Sequence, residues 1–104
     1  MSEPIITRDV SVYYEQHGIS MDATFEVKYD IDRSETQPGL RSNRVIILER
    51  CPIYVSYCDR MDHQYEWRYG ENMPARVVRA LEVAEGFIAE EIHRKLEAHP
   101  YLSY

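Results

Sequence analysis

One segment of this chain constrains its fold more than any other, because residues 21–32 alternate strictly between apolar and polar side chains. The apolar positions are Met21, Ala23, Phe25, Val27, Tyr29 and Ile31. The polar positions between them are Asp22, Thr24, Glu26, Lys28, Asp30 and Asp32. A period of two predicts an antiparallel strand with one face in the core and the other in solvent. The fold must therefore include a sheet that is covered on one side.

Three further segments have the character of strands. Residues 5–16 are rich in Ile, Val and Tyr, and the glycine-containing turn at residues 16–20 predicts a hairpin with the alternating strand. Residues 44–58 predict one bent strand or two short ones, because Pro52 cannot donate to a ladder. Residues 61–69 alternate again, and one predicted face carries Met61, His63, Tyr65, Trp67 and Tyr69.

Residues 74–98 predict one long helix with Asn72 as its N-cap. The main apolar stripe of this helix comprises Val77, Val78, Leu81, Ala84, Ile88, Ile92 and Leu96. Val83 and Phe87 widen the stripe beyond what packing against one sheet requires, which predicts self-association through these two residues. Gly86 either marks a bend, permits a close backbone approach, or is simply tolerated within the helix.

Together these elements predict an α+β fold of the order ββββα. It is an antiparallel four-stranded meander with one long C-terminal helix packed across one face. No repeat or second domain divides residues 1–104; residues 33–43 form a connecting loop, and residues 99–104 form a tail. A chain of this length buries about two-thirds of its unfolded surface, so the fold needs no cofactor for stability.

The charge of the chain is its main electrostatic feature. There are 18 Asp and Glu residues against 12 Lys and Arg, a formal net charge of −6. Asp22, Glu26, Asp30 and Asp32 share the polar face of the alternating strand, and such an array suits a basic groove that normally binds nucleic acid. The alternative is an ordinary solvated strand face. We expect a protein partner with a basic surface.

Nine tyrosines are more than one small core needs. Exposed tyrosines are typical of recognition surfaces, because a rigid amphipathic ring offers large contact area at low entropy cost. Alternation predicts that Tyr29, Tyr65 and Tyr69 are buried, that one of the adjacent Tyr13 and Tyr14 faces away from the core, and that Tyr54 does too. We assign Tyr14 and Tyr54 to the partner-binding surface.

A second function, binding of single-stranded nucleic acid, is also open. It would use Tyr54, Tyr57 and Trp67 for stacking, with basic side chains at Arg41, Arg44, Arg50, Arg60 and Arg68. The acidic balance of the chain argues against it, because phosphate binding needs Lys and Arg in excess.

A third function, a small enzyme, would rest on Cys58, His63 and the neighbouring carboxylates. Their spacing matches no recognised metal or nucleophile motif, so we expect no catalytic residues and no metal. Cys51 and Cys58 in one strand would lie about 23 Å apart on opposite faces, which predicts two free, partly buried thiols.

Compact acidic α+β chains of this length resemble the small accessory proteins of phages and other mobile elements. Some of those proteins inhibit host complexes that target nucleic acid. The resemblance concerns size, charge and architecture, and it implies a non-enzymatic inhibitor that engages a basic host protein. The first residues carry no secretory signal and no apolar run is long enough to cross a bilayer, so we expect a cytoplasmic location and no membrane partner.

Overall fold

The computed structural model describes residues 5–31 and 45–98. It contains strands β1 (Ile6–Gln16), β2 (Ile19–Ile31), β3 (Val45–Cys58) and β4 (Gln64–Arg68), followed by helices α1 (Ala75–Val83) and α2 (Glu85–Ala98). The strands form one antiparallel sheet in the order β1-β2-β3-β4, which confirms the meander. Asp32, the predicted loop over residues 33–43 and the predicted tail over residues 99–104 lie outside the described residues. Neither helix in the described parts of the chain is long and apolar enough to span a membrane.

The core lies between the helices and one face of the sheet, which we call the inner face. All six apolar residues of the alternating segment are buried there, as predicted, and Val27 and Tyr29 are fully inaccessible. The helices contribute Val77, Ile88, Ile92 and Leu96, and Ala84 between them is also in the core. Lys95 Nζ donates to the backbone oxygen of Ser11 (2.5 Å), which joins α2 to the edge strand β1.

The prediction of one long helix is wrong, because the helical segment is interrupted at Ala84. That residue has φ −89° and ψ 4°, outside the helical region, although backbone bonds from Ala84 N to Ala80 O and from Ile88 N to Ala84 O continue across it. Ala84 is buried, so the interruption lies against the core. At Gly86 an added Cβ would meet nothing within 4 Å, so no close backbone approach explains that glycine.

The start of the first helix also differs from the prediction. The N-cap position is Pro74 in an extended conformation, and no side chain caps the helix there. Asn72 is therefore too early in the chain to serve as the N-cap. The proline ring suits this position, because the first backbone N–H groups of a helix have no partners within it.

The last strand is shorter than the predicted 61–69. Asp59 Oδ1 accepts hydrogen bonds from the backbone N–H groups of Met61 (2.9 Å) and His63 (3.0 Å), and Asp62 adopts a positive φ of 62°. This turn keeps residues 61–63 out of the sheet. Met61 and His63 are consequently exposed rather than turned to the core, and Tyr69, which follows the strand, is 73% exposed rather than buried.

Strand β3 is a single bent strand, one of the two predicted alternatives. Its register with β2 shifts twice: Pro52 pairs with Phe25 while Tyr54 pairs with Thr24, so one residue between them is unpaired, and a second shift follows near Leu48. Because of the first shift, the β3 residues between the two shifts point to the face opposite to the one that uninterrupted alternation from Tyr54 would give. Cys51 and Cys58 therefore both occupy outward positions, not opposite faces, and both thiols are free and partly buried as expected.

Candidate functional site

The sheet face turned away from the helices, here called the outer face, is strongly acidic. The strand registers place these carboxylates on it: Asp9, Glu15, Asp22, Glu26, Asp30, Glu49 and Glu66. The basic side chains that the same registers place there are Lys28 and Arg68. The negative charge predicted for one strand thus extends over all four strands of the sheet.

The centre of the outer face holds two carboxylates directly opposite each other. Asp9 of β1 pairs with Glu26 of β2, and the next residue in that row, on β3, is Cys51. Like charges at directly opposed positions destabilise a sheet, and none of the described residues places a cation in this row to offset them. The row is therefore a locus of uncompensated negative charge.

The two cations that the described strands place on the outer face are already paired with acidic neighbours. Lys28 Nζ lies 3.6 Å from Glu49 Oε2, and Arg68 Nη2 lies 3.2 Å from Glu66 Oε1. Within the described residues, Asp9, Asp22 and Glu26 form no hydrogen bond or ion pair through their side chains. Those three carboxylates remain free to meet a cation from outside the molecule.

Tyr13 and Tyr54 stand at two sides of this acidic surface. Tyr13 is 55% exposed and its hydroxyl donates to Glu15 Oε2 (2.7 Å). The Tyr54 hydroxyl donates to Glu66 Oε1 (3.0 Å), and the Arg68 guanidinium lies 5.7 Å from the centre of the Tyr54 ring. Both rings are thereby held in place beside the carboxylates.

These contacts change the proton affinities of the groups involved. The hydrogen bond to Glu15 raises the pKa of Tyr13, and the hydrogen bond to Glu66 raises the pKa of Tyr54. The pKa of Glu66 is lowered, chiefly by the hydrogen bond from Arg68 and then by that from Tyr54. Both tyrosines therefore stay protonated hydrogen-bond donors at neutral pH.

The structure separates the predicted partner-binding residues into two groups. Asp22, Glu26, Asp30 and Tyr54 lie on the outer face, and Asp30 Oδ1 also accepts the backbone N–H of Ile31. Tyr14, by contrast, lies on the inner face, where its ring contacts Phe87 edge to face at 5.4 Å. Asp32 is not among the described residues.

The place assigned to Tyr14 is taken by Tyr13, which pairs with Asp22 on the outer face. A signal for this was present in the sequence. Ile6, Val10 and Val12 are apolar residues of one parity in the first strand, and Tyr14 shares that parity. Alternation therefore already turns Tyr13 outward together with Asp9. Asp9 was missed because its pairing with Glu26 depends on the register of the hairpin.

Val83 and Phe87, predicted to mediate self-association, are 69% and 41% exposed. Val83 ends α1 and Phe87 lies in the first turn of α2, so the two flank the interruption at Ala84. Their exposure leaves apolar surface uncovered, and self-association through them stays a prediction.

The residues named for the other two functions are not brought together. Tyr57 and Trp67 are buried in the core, and the Trp67 indole N–H donates to Glu71 O (2.8 Å), so neither ring is open for a base to stack on. The described arginines are dispersed: Arg50 pairs with Glu85 on the helix side, and Arg68 is on the outer face. Arg41 and Arg44 fall outside the described residues.

The segment from Cys58 to His63 forms a turn rather than a reaction centre. Asp59 uses one carboxylate oxygen for the turn itself, while the other lies 3.5 Å from His63 Nδ1 and 3.4 Å from Arg76 Nη1. The pKa of Asp59 is lowered, with the hydrogen bond from the His63 N–H as the largest cause. Within residues 5–31 and 45–98 no three His, Cys, Asp or Glu side chains converge as metal ligands do.

No protein-family model, curated protein or solved structure matches this chain.

Proposed function

We propose that this chain is a non-enzymatic protein-binding module whose outer sheet face docks onto a basic surface. The observation that carries the proposal is the register of the sheet, which gathers carboxylates from four strands onto one open face. Among residues 5–31 and 45–98, no cation pairs with Asp9, Asp22 or Glu26 there. Electrostatic complementarity of this kind steers association and excludes acidic partners. A protein of net charge −6 adds long-range attraction to the same effect.

Tyr13 and Tyr54 on the outer face supply apolar contact area, which charged side chains alone do not. Tyr13 and Tyr54 present fixed rings next to carboxylates, and rigid aromatic side chains contribute contact area at small entropic cost. A basic partner rich in Arg would pair its guanidinium groups with the carboxylates and stack them against the rings.

For the identity of the partner, we propose a host protein that handles nucleic acid, within the cytoplasm. Such proteins carry basic grooves for phosphates, and the outer face would occupy the groove as an inhibitor of the type found among phage accessory proteins. The support for this is the resemblance in size, charge and architecture, together with the acidic face.

The experiment that tests the module is a comparison of two variants of equal charge. D22N/E26Q/D30N removes charges from the outer face, and D62N/E82Q/E90Q removes the same number from turn and helix positions away from it. Tagged wild type and both variants are used to capture partners from lysate of the natural host at low and high salt, with mass spectrometry of the retained proteins.

We expect a basic protein to be retained by wild type and by D62N/E82Q/E90Q at low salt, and to be lost from D22N/E26Q/D30N. Raising the salt should release it, because exposed charges are screened beyond about 8–10 Å. Equal retention by both variants, or retention that salt does not weaken, would refute the proposal. Quenching of tyrosine fluorescence by single-stranded oligonucleotides would favour the nucleic-acid alternative instead.

A further inference from the structure

A second feature of the molecule lies on the opposite side of the sheet from the acidic surface. Between α1 and the hairpin end of the inner face there is a cleft of about 270 Å³. Its walls are formed by Tyr14, Ile19, Met21, Tyr57, Ala80 and Val83, and two basic residues of α1, Arg76 and Arg79, complete the lining. The volume is slightly below the range of ~300–1,000 Å³ for small-molecule pockets, which suits a small ligand.

The two arginines of the cleft are in different electrostatic states. Arg76 Nη1 donates to the Tyr65 hydroxyl (2.9 Å) and lies 3.4 Å from Asp59 Oδ2, so its charge is partly balanced. Arg79 makes no hydrogen bond, ion pair or ring contact with any described residue. No carboxylate of the described residues lines the cleft. The guanidinium of Arg79, unpaired among the described residues, therefore borders a largely apolar cavity, although the protein as a whole has a net negative charge.

This combination selects a particular class of ligand. A guanidinium presents parallel N–H donors that match a carboxylate, and the apolar walls favour a body without polar groups. We propose that the cleft binds a small amphipathic carboxylate, an alkyl or aryl acid whose carboxylate pairs with Arg79 and whose body lies against Ile19, Ala80 and Val83. Short exposed carboxylates without an apolar body would bind Arg79 weakly, because a single exposed ion pair contributes little.

The cleft could not be predicted from the sequence, because sequence patterns assign its residues to two different surfaces. The sequence predicts Tyr14 on the acidic partner surface and Val83 in a self-association surface, but both residues line this one cleft. Phe87 contacts Tyr14 next to it. A second copy of the chain is the competing occupant, and the test distinguishes the two.

The test is an NMR titration of the uniformly ¹⁵N-labelled protein with hexanoate, octanoate and decanoate, below the concentrations at which these acids self-associate. We expect shifts concentrated at the backbone amides of Ile19, Ala80 and Val83, and an affinity that rises about fourfold for each added methylene until the cleft is filled. Decanol, which keeps the apolar body and lacks the charge, should bind more weakly.

Two arginine variants separate pairing from general electrostatics. R79Q should weaken decanoate about two- to fivefold and leave decanol unchanged, since the ion pair with an exposed guanidinium is lost. R94Q removes a charge of equal sign from α2, where Arg94 is paired with Glu91, and should leave both affinities unchanged. A thermal melt of R79Q checks that this exposed substitution leaves the fold intact.

Three results would overturn the proposal. The first is an equal loss of decanoate affinity in R79Q and R94Q. The second is a set of shifts located away from the cleft. The third is cleft shifts that grow with protein concentration in the absence of any acid, together with slower diffusion, which would identify a second copy as the occupant.

Discussion

Tyr13 and Tyr14 are neighbours in one strand, yet they belong to the two most different surfaces of the molecule. Tyr13 lies on the open outer face, pairs with Asp22 and donates to a carboxylate. Tyr14 lies on the inner face, lines the apolar cleft and contacts Phe87. Because successive side chains of a strand point to opposite faces, a shift of one position decides whether a tyrosine serves an electrostatic surface or an apolar one.

The contrast extends to the two faces as wholes. On the inner face the helices exclude water, and within the described residues no buried side-chain nitrogen or oxygen lacks a hydrogen-bond partner. On the outer face, carboxylates stand opposite each other without cations, at a cost to stability. The inner face is organised for stability, and the outer face carries a charge arrangement that stability alone does not favour.

The largest difference in stability between variants of the two faces should come from truncating a side chain in the core. Ile92→Ala removes a fully buried side chain of α2 and should lower the free energy of unfolding by about 2–5 kcal/mol. Ile46→Ala, at a position 47% exposed and facing outward, is the matched control and should cost less than about 1 kcal/mol. Urea denaturation monitored by circular dichroism measures both, and similar losses would contradict this division of the sheet.

The adjacent tyrosines provide the sharpest version of the comparison. Tyr14→Ala removes the contact with Phe87 and part of the cleft wall, and should cost about 1–3 kcal/mol. Tyr13→Ala should cost less than about 0.5 kcal/mol, because that ring is exposed. For binding of a basic partner the order should reverse. A variant pair in which Tyr14→Ala alone impairs partner binding would break the assignment of the faces.

A smaller effect should follow from relieving the like charges at the centre of the outer face. Asp9→Asn should raise the free energy of unfolding by about 0.2–0.5 kcal/mol at low salt, because Glu26 then faces a neutral amide. The gain should shrink as salt is added. Glu82→Gln, on α1, serves as the control for net charge. A loss of stability in Asp9→Asn at low salt would show that the carboxylate is held by an attractive contact.

The smallest effect is a change in titration at Tyr54 and Glu66. The raised pKa of Tyr54 means that its contribution to stability is complete below the ordinary tyrosine pKa and is lost as pH rises through the folded value. The lowered pKa of Glu66 means that its contribution is present above the ordinary glutamate pKa and is lost as pH falls through the folded value. The hydrogen bond between Tyr54 and Glu66 therefore contributes to the stability of the fold throughout the neutral pH range.

Glu66→Gln tests this directly, because it should bring the pKa of Tyr54 down toward the usual tyrosine value. Difference absorbance at 295 nm between each protein and its Tyr54→Phe counterpart isolates that one hydroxyl. Glu71→Gln, a nearby carboxylate that contacts the Arg68 backbone instead, should leave the Tyr54 titration in place. An unchanged pKa in Glu66→Gln would mean that the hydrogen bond is absent in solution.

Where the chain repeats a regular pattern, its sequence predicted the structure well. The alternation over residues 21–32 located the buried face of β2, and the stripe containing Ile88, Ile92 and Leu96 located the face of the helices that meets it. Periodicity predicts structure well there because each side chain in such a segment faces one of only two environments, the core or the solvent. The candidate site was reached only in part. Asp22, Glu26 and Tyr54 came from one-strand patterns, and the outward direction of Tyr13 was available from another, but the opposition of Asp9 to Glu26 required the pairing of two strands.

What the sequence by itself determined is the periodicity of each element: a meander with one covered face, an apolar helical stripe, and an acidic excess on the uncovered side. What only the tertiary structure decided is register. The bulge beside Pro52 set the faces of Cys51 and Cys58, and the break at Ala84 set how two helices, rather than one, meet the sheet. The hairpin pairing opposed Asp9 to Glu26. The physical reason is that side-chain direction is a local property of the backbone, whereas register depends on contacts between residues far apart in the chain.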